Sequence, residues 1–111
     1  MKRENRVLKH REFSEILSNC PFAKEAHFVV HYRPNKADKL RVGIQVGRRN
    51  GGAVRRNKIK RQIRTLCLNA FEFGKSGDLI VVVRLSYDPK DYLKAKEELG
   101  NIWAEIGEKL P

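Results

Sequence analysis

Cysteine is scarce in this chain: the 111 residues include two, Cys20 and Cys67. They are far apart, form no Cys-x-x-Cys pair and have no histidine at ligand spacing, which argues against a disulfide framework or a zinc module. Long apolar runs are missing too, and no stretch approaches the ~20 residues needed to cross a bilayer as a helix. The basic start, Met1-Lys2-Arg3-Glu4-Asn5-Arg6, is not followed by a hydrophobic signal core. The expected compartment is therefore a reducing cytoplasm. Internal repeats and low-complexity segments are absent, and the length suits one domain over 1–111 with a basic, poorly ordered arm at 1–7. The most informative absence is of acid. From Arg48 to Arg64 there is no Asp or Glu, while eight residues are Arg or Lys.

Such crowding of like charge costs stability through mutual repulsion. It makes physical sense if a polyanion relieves it. The whole chain carries +11 with 33% charged and 41% hydrophobic residues, a globular but highly charged composition. The excess is local. Residues 1–71 hold 18 basic and 5 acidic side chains, whereas 72–111 hold 6 basic and 8 acidic ones. The binding surface is thus expected in the first two thirds, with the remainder as scaffold.

Within the basic stretch, Ile59, Ile63, Leu66, Cys67, Ala70 and Phe71 recur at helical spacing and define an apolar face. At ~100° per residue, Asn57, Arg61, Arg64 and Leu68 fall opposite, flanked by Lys58, Thr65 and Lys60. Arg55 and Arg56 occupy the first turn, where cations oppose the helix dipole. A merely solvated helix face normally mixes Glu with Lys for i,i+4 support. Here the first Glu is Glu72. Gly51 and Gly52 precede the helix, where a strand must turn into it. Cys67 reads as a small core residue.

Around that helix the chain reads as scaffold. Arg11–Leu17 is expected to be a short helix with Phe13, Ile16 and Leu17 on one face, Glu12 and Glu15 outside, ended by Pro21. His27–Tyr32 reads as a strand, with Val29, His31 and Arg33 opposite Phe28, Val30 and Tyr32. Leu40, Val42, Ile44 and Val46 alternate with Arg41, Gly43, Gln45 and Gly47, a half-buried strand expected to pair antiparallel with the preceding one. Gly43 and Gly47 mark either a close approach to the sheet or a bulge. Leu79–Val83 has no polar interruption and should be a central strand. Asp88-Pro89 starts a last helix, whose apolar face is Tyr92, Leu99, Ile102, Trp103, Ile106 and Leu110. The fold class expected from these elements is α/β, a sandwich on one sheet.

No catalytic constellation stands out. His27 and His31 have the same strand parity. Side by side they could form a metal pair or an acid–base pair, or they are solvated or RNA-contacting residues. Gly51-Gly52 before a basic helix suits phosphate, but the P-loop spacing is lacking.

The run Gly51-Gly52-Ala53-Val54-Arg55-Arg56-Asn57-Lys58-Ile59-Lys60-Arg61-Gln62-Ile63-Arg64 resembles the signature of the bacterial ribonuclease P protein component, Gly-Asn-Ala-Val-x-Arg-Asn-Arg-x-Lys-Arg-x-x-Arg. Gly52 stands where the family has Asn, and Lys58 where it has Arg. Lys58 keeps the charge and loses the bidentate fork. The resemblance extends to Leu8 and Phe13, to Leu40–Ile44 and to Asp78–Val83. It implies a small α/β sandwich of α-β-β-β-α-β-α type on a mixed four-stranded sheet, with a left-handed β-α-β crossover around the basic helix, against the usual rule. It also implies a non-catalytic subunit of an endoribonuclease ribonucleoprotein that removes the 5′ leader of precursor tRNA. The catalytic RNA and precursor tRNA are then the partners, with no membrane and no protein partner required. Mg²⁺ is the cofactor, held mainly by the RNA, with no metal tightly bound by the protein. The residues implied at the catalytic RNA are Arg48, Arg49, Arg55, Arg56, Asn57, Lys58, Lys60, Arg61 and Arg64. A leader cleft is implied at Phe13, Leu17 and His31, where family members often carry three aromatics. Strand parity adds Val29, Arg41 and Gln45. The competing class is a generic structured-RNA-binding protein such as a ribosome-associated factor, and a third is a free-standing nuclease using His27 and His31.

Overall fold

A computed structural model describes residues 5, 6 and 9–111. Apart from Asn5 and Arg6, the arm expected over 1–7 lies outside the described residues, as does Leu8. The elements run α1 (His10–Asn19), β1 (Phe22–Lys24), β2 (Phe28–Arg33), β3 (Leu40–Val46), a 3₁₀ turn (Arg48–Asn50), α2 (Ala53–Ala70), β4 (Gly77–Val83), a second 3₁₀ turn (Pro89–Asp91) and α3 (Tyr92–Ile106). This is the expected small α/β fold on a mixed four-stranded sheet.

The sheet order is β1-β2-β4-β3. β4 is central, antiparallel to β2 and parallel to β3, and its apolar run is buried over most of its length. The expected antiparallel pairing of β2 with β3 is therefore incorrect. The polar loop between them spans the width of a strand, and β4, returning from α2, inserts between the two. β3, α2 and β4 form a β-α-β unit with parallel strands. On the outer edge of β3, Arg6 bridges to Val42, and Asn5 Nδ2 donates to the Leu40 carbonyl at 2.8 Å.

One face of the sheet packs on α2 and α3. Phe28, Val30, Leu40, Val42, Leu79 and Val81 meet Ile59, Ile63, Leu66 and Cys67 of α2 and Ala95, Leu99, Ile102 and Ile106 of α3. Trp103 joins this core, as does Leu110 from beyond the end of α3 and not from its face as expected, while Tyr92, the first residue of α3, is exposed. Tyr87 takes the buried place instead, with its hydroxyl donating to Gln62 Oε1 at 2.9 Å. Burial pushes the Tyr87 phenol up to about 12 and raises the Cys67 thiol. Cys67 is thus an inert core residue.

The other face carries α1, with Ile16 and Ile80 buried and Phe13, Leu17, Cys20 and Val82 around them. Gly43 is the reason α1 sits so close. A Cβ there would lie 2.5 Å from Phe13 Cζ and 2.9 Å from Ile80 Cδ1. The β3–β4 register runs unbroken through Gly43, so of the two readings the close approach is correct, and the group that approaches is the chain's own Phe13.

Candidate nucleic-acid interface

The register sorts the α1 side of the sheet into three rows that cross the strands. Arg41, Asp78 and Arg33 form one row; Gly43, Ile80, His31 and Phe22 the next; Gln45, Val82, Val29 and Lys24 the third. α1 lies over the first two. Of its acidic residues, Glu15 is exposed, as expected from the sequence, whereas Glu12 is half-buried, and both carboxylates reach the first row. Arg41 donates to Asp78 at 2.8 and 2.9 Å and to Glu12 at 2.7 Å. Arg33 donates to Asp78 at 3.0 Å and lies 3.6 Å from Glu15. Asn35 Nδ2 donates to Asp78 at 2.7 Å. Burial alone would raise the Asp78 carboxyl, but the bonds from Arg41, Asn35 and Arg33 outweigh it and hold the group below the usual carboxylate range. The Arg41 guanidinium is raised in turn, chiefly by Asp78. Arg41 was expected to line the cleft; its guanidinium is bound to two carboxylates and acts as a clamp for α1.

The third row is left open. On α1, His10, Phe13, Ser14 and Leu17 recur at i, i+3, i+4 and i+7 and form one wall of a groove of about 410 Å³; Ile44, Gln45, Val46 and Lys60 form the other. Phe13, Leu17 and Gln45 are thus brought together. Val29 lies in the same open row, half-buried. His31 sits in the neighbouring row, its Nδ1 3.4 Å from the Cys20 carbonyl oxygen. His27 does not join it. β2 begins only at Phe28, and the His27 ring turns towards α3. There Nδ1 is hydrogen-bonded to the Glu98 carboxylate, and the backbone N–H donates to Glu98 Oε1 at 2.7 Å. The two histidines do not form a pair, which removes the geometry needed for a shared metal or for acid–base catalysis.

α2 supplies the cationic surface. Gly51 adopts φ +127, a conformation that favours glycine, and so lets the chain turn from the Arg48–Asn50 turn into the helix. Asn57, Lys58 and Arg61 are exposed, and Lys60 and Arg64 are half-buried. Val54, Asn57, Lys60, Arg61 and Arg64 line a shallow hollow of about 620 Å³. Arg48 and Arg49 are exposed beside Gln45, Val82 and Arg84 in a second hollow of about 560 Å³. Two expected contacts are engaged locally. Arg55 donates to the Asn50 carbonyl at 2.8 Å and to Asp88 at 3.1 Å; Arg56 Nε donates to the Gly51 carbonyl at 3.1 Å. Asp88 is held low first by the Lys90 backbone N–H and then by Arg55.

Lys60 lines both the α2 hollow and the groove under α1, so the helix surface and the groove form one continuous path. His10 and Ser14 were not anticipated as part of it. Their spacing from Phe13 and Leu17 was the available signal, but an apolar-face reading of so short a helix passes over polar residues.

The ribonuclease P family model matches residues 1–107. The chain belongs to the bacterial ribonuclease P protein family. The ribonuclease P protein component of Mycoplasma capricolum is 42% identical over 108 residues, spanning 96% of this chain and 99% of that one. That of Streptococcus pyogenes is 30% identical over 92% of this chain and 86% of the relative. Among solved structures, a Staphylococcus aureus RNase P protein mutant with defective mRNA degradation activity superposes with TM-score 0.78 at 30% identity, covering 96% and 90% of the two chains. The Thermotoga maritima RNase P protein gives 0.75 at 29%, covering 91% and 96%. As a ribonuclease P protein, the chain carries the family signature on the first turns of α2, where the cationic surface lies.

Proposed function

We propose that this chain is the RNA-binding, non-catalytic subunit of a ribonuclease P ribonucleoprotein, docking the catalytic RNA on α2 and holding the 5′ leader of precursor tRNA in the groove under α1. The observation that carries this reading is the continuity through Lys60 of an acid-free cationic helix with a groove walled by Phe13 and Leu17. Phosphates would be drawn to Arg48, Arg49, Lys58, Lys60, Arg61 and Arg64, and unstacked bases to the Phe13 ring, with His31 and Val29 further along the groove. The protein's part is electrostatic and positional. It lowers the repulsion between two RNAs that would otherwise demand more cation, and it holds the leader so that the scissile bond lies in the RNA active site.

Mg²⁺ supplies charge neutralisation and water activation at phosphodiester hydrolysis. The protein offers it little. Near the interface Glu12, Glu15 and Asp78 are bound to arginines, and among the described residues no group of three or more His, Cys, Asp or Glu side chains could hold a metal ion. In this reading the metal belongs to the RNA, and the ribonucleoprotein works in the cytoplasm. Co-purification from cells tests the assignment. One structured RNA of a few hundred nucleotides, active on precursor tRNA when recombined with the protein, is the expected result. Recovery of ribosomal RNA alone would replace it with a general RNA-binding role.

A further inference from the structure

The open face of the sheet does not end at β2. Phe22 pairs with His31 and Lys24 with Val29, so both β1 side chains extend the face that carries the groove. Phe22 is 57% exposed, more than any other large hydrophobic side chain of the four strands. Its ring lies 5.3 Å from that of His31, tilted by 47°. The His31 ring is thus held between Phe22 and the Cys20 carbonyl. Lys24 is exposed, and its neighbour Glu25 turns away, accepting from Asn101 of α3 at 3.2 Å. An open phenyl ring beside a cation, with the adjoining Glu25 committed elsewhere, is complementary to a strand of alternating bases and phosphates.

We propose that Phe22 and Lys24 form a base-and-phosphate subsite for single-stranded RNA at the β1 end of the groove, with Phe22 as the stacking platform and Lys24 as the phosphate contact. The subsite rests on the reading of the groove as the leader path and lengthens that path beyond His31. It places a phenyl ring beside the smaller ring of His31. If Phe22 only shielded one side of His31, any apolar side chain of similar size would do, and that difference makes the proposal testable.

The experiment compares ribonucleoproteins reconstituted with the parent chain, Phe22→Ala, Phe22→Leu, Phe22→Tyr and Lys24→Ala. Affinity is measured for mature tRNA and for precursor tRNAs with leaders of increasing length. Phe22→Ala and Phe22→Leu should both weaken binding of long-leader precursor by about 5- to 100-fold and leave mature tRNA unchanged. Phe22→Tyr should restore parent affinity. Lys24→Ala should lower the log–log salt slope by about one unit. The losses should disappear once the leader is too short to reach β1. Parent-like affinity of Phe22→Leu, or equal losses for mature and precursor tRNA, would overturn the subsite. If the parent ribonucleoprotein itself does not distinguish precursor from mature tRNA, the leader reading fails and the subsite with it.

Discussion

Replacing Asp78 by Asn removes the charge at the centre of the row that fastens α1. The side chain is fully buried and receives bonds from Arg41, Arg33 and Asn35. Breaking a buried ionic network by removing one partner costs about 3–5 kcal/mol. Here the cost should be about 3 kcal/mol, because the arginines are partly solvated and keep Glu12 and Glu15. The pH dependence follows from the direction of the shift. The folded carboxyl is lowered relative to the unfolded one. Its contribution is therefore complete above the unfolded value of about 3.9 and is lost as pH falls through the folded value. Urea unfolding of parent and Asp78→Asn from pH 7 down to pH 3 should give a constant difference above about pH 5 that narrows below about pH 4. A difference under about 1 kcal/mol at pH 7, or one that does not narrow in acid, would refute the clamp.

Other outcomes follow from the same geometry. Phe13→Ala should destabilise the free protein by about 2 kcal/mol, less than a fully buried Phe because the residue is only partly buried, as read by thermal melting. It should also weaken precursor tRNA binding by about 1–3 kcal/mol while sparing mature tRNA. Binding of the catalytic RNA should show a log–log salt slope of about −4 to −5 for six phosphate contacts. Arg61→Ala and Arg64→Ala should each reduce that slope by about one unit. Arg55→Ala should lower stability, through the lost Asn50 and Asp88 contacts, more than it changes the slope. Gly52 begins α2 without a side-chain cap, and a Cβ there would meet nothing within 4 Å. Gly52→Asn should therefore cap the helix and stabilise by about 0.3 kcal/mol, raising the melting temperature by roughly 1–2 °C.

Much of the scaffold was legible because its signals are local. The buried stripe of α2 and the uninterrupted apolar run of β4 follow from periodicity, and the cationic face follows from the missing acids. What was not legible depends on partners distant in sequence. The alternation in β3 shows which side chains are buried but not which strand lies beside it, and the short link to β2 pointed to a hairpin that β4 prevents. Glu12 looks like a solvent-facing residue until Arg41 is brought under α1. The shared parity of His27 and His31 misleads because the strand starts one residue after His27. β1 is three residues long, too short to carry a pattern, so Phe22 and Lys24 gained meaning only through their register with His31 and Val29.

The most direct test of the central claim is cleavage of precursor tRNA across a Mg²⁺ titration, with RNA-free protein, with the catalytic RNA alone and with both. The protein alone should be inactive, the RNA should cleave at high Mg²⁺, and the two together should cleave at distinctly lower Mg²⁺. Cleavage by the RNA-free protein, or an unchanged Mg²⁺ requirement when it is added, would contradict the account.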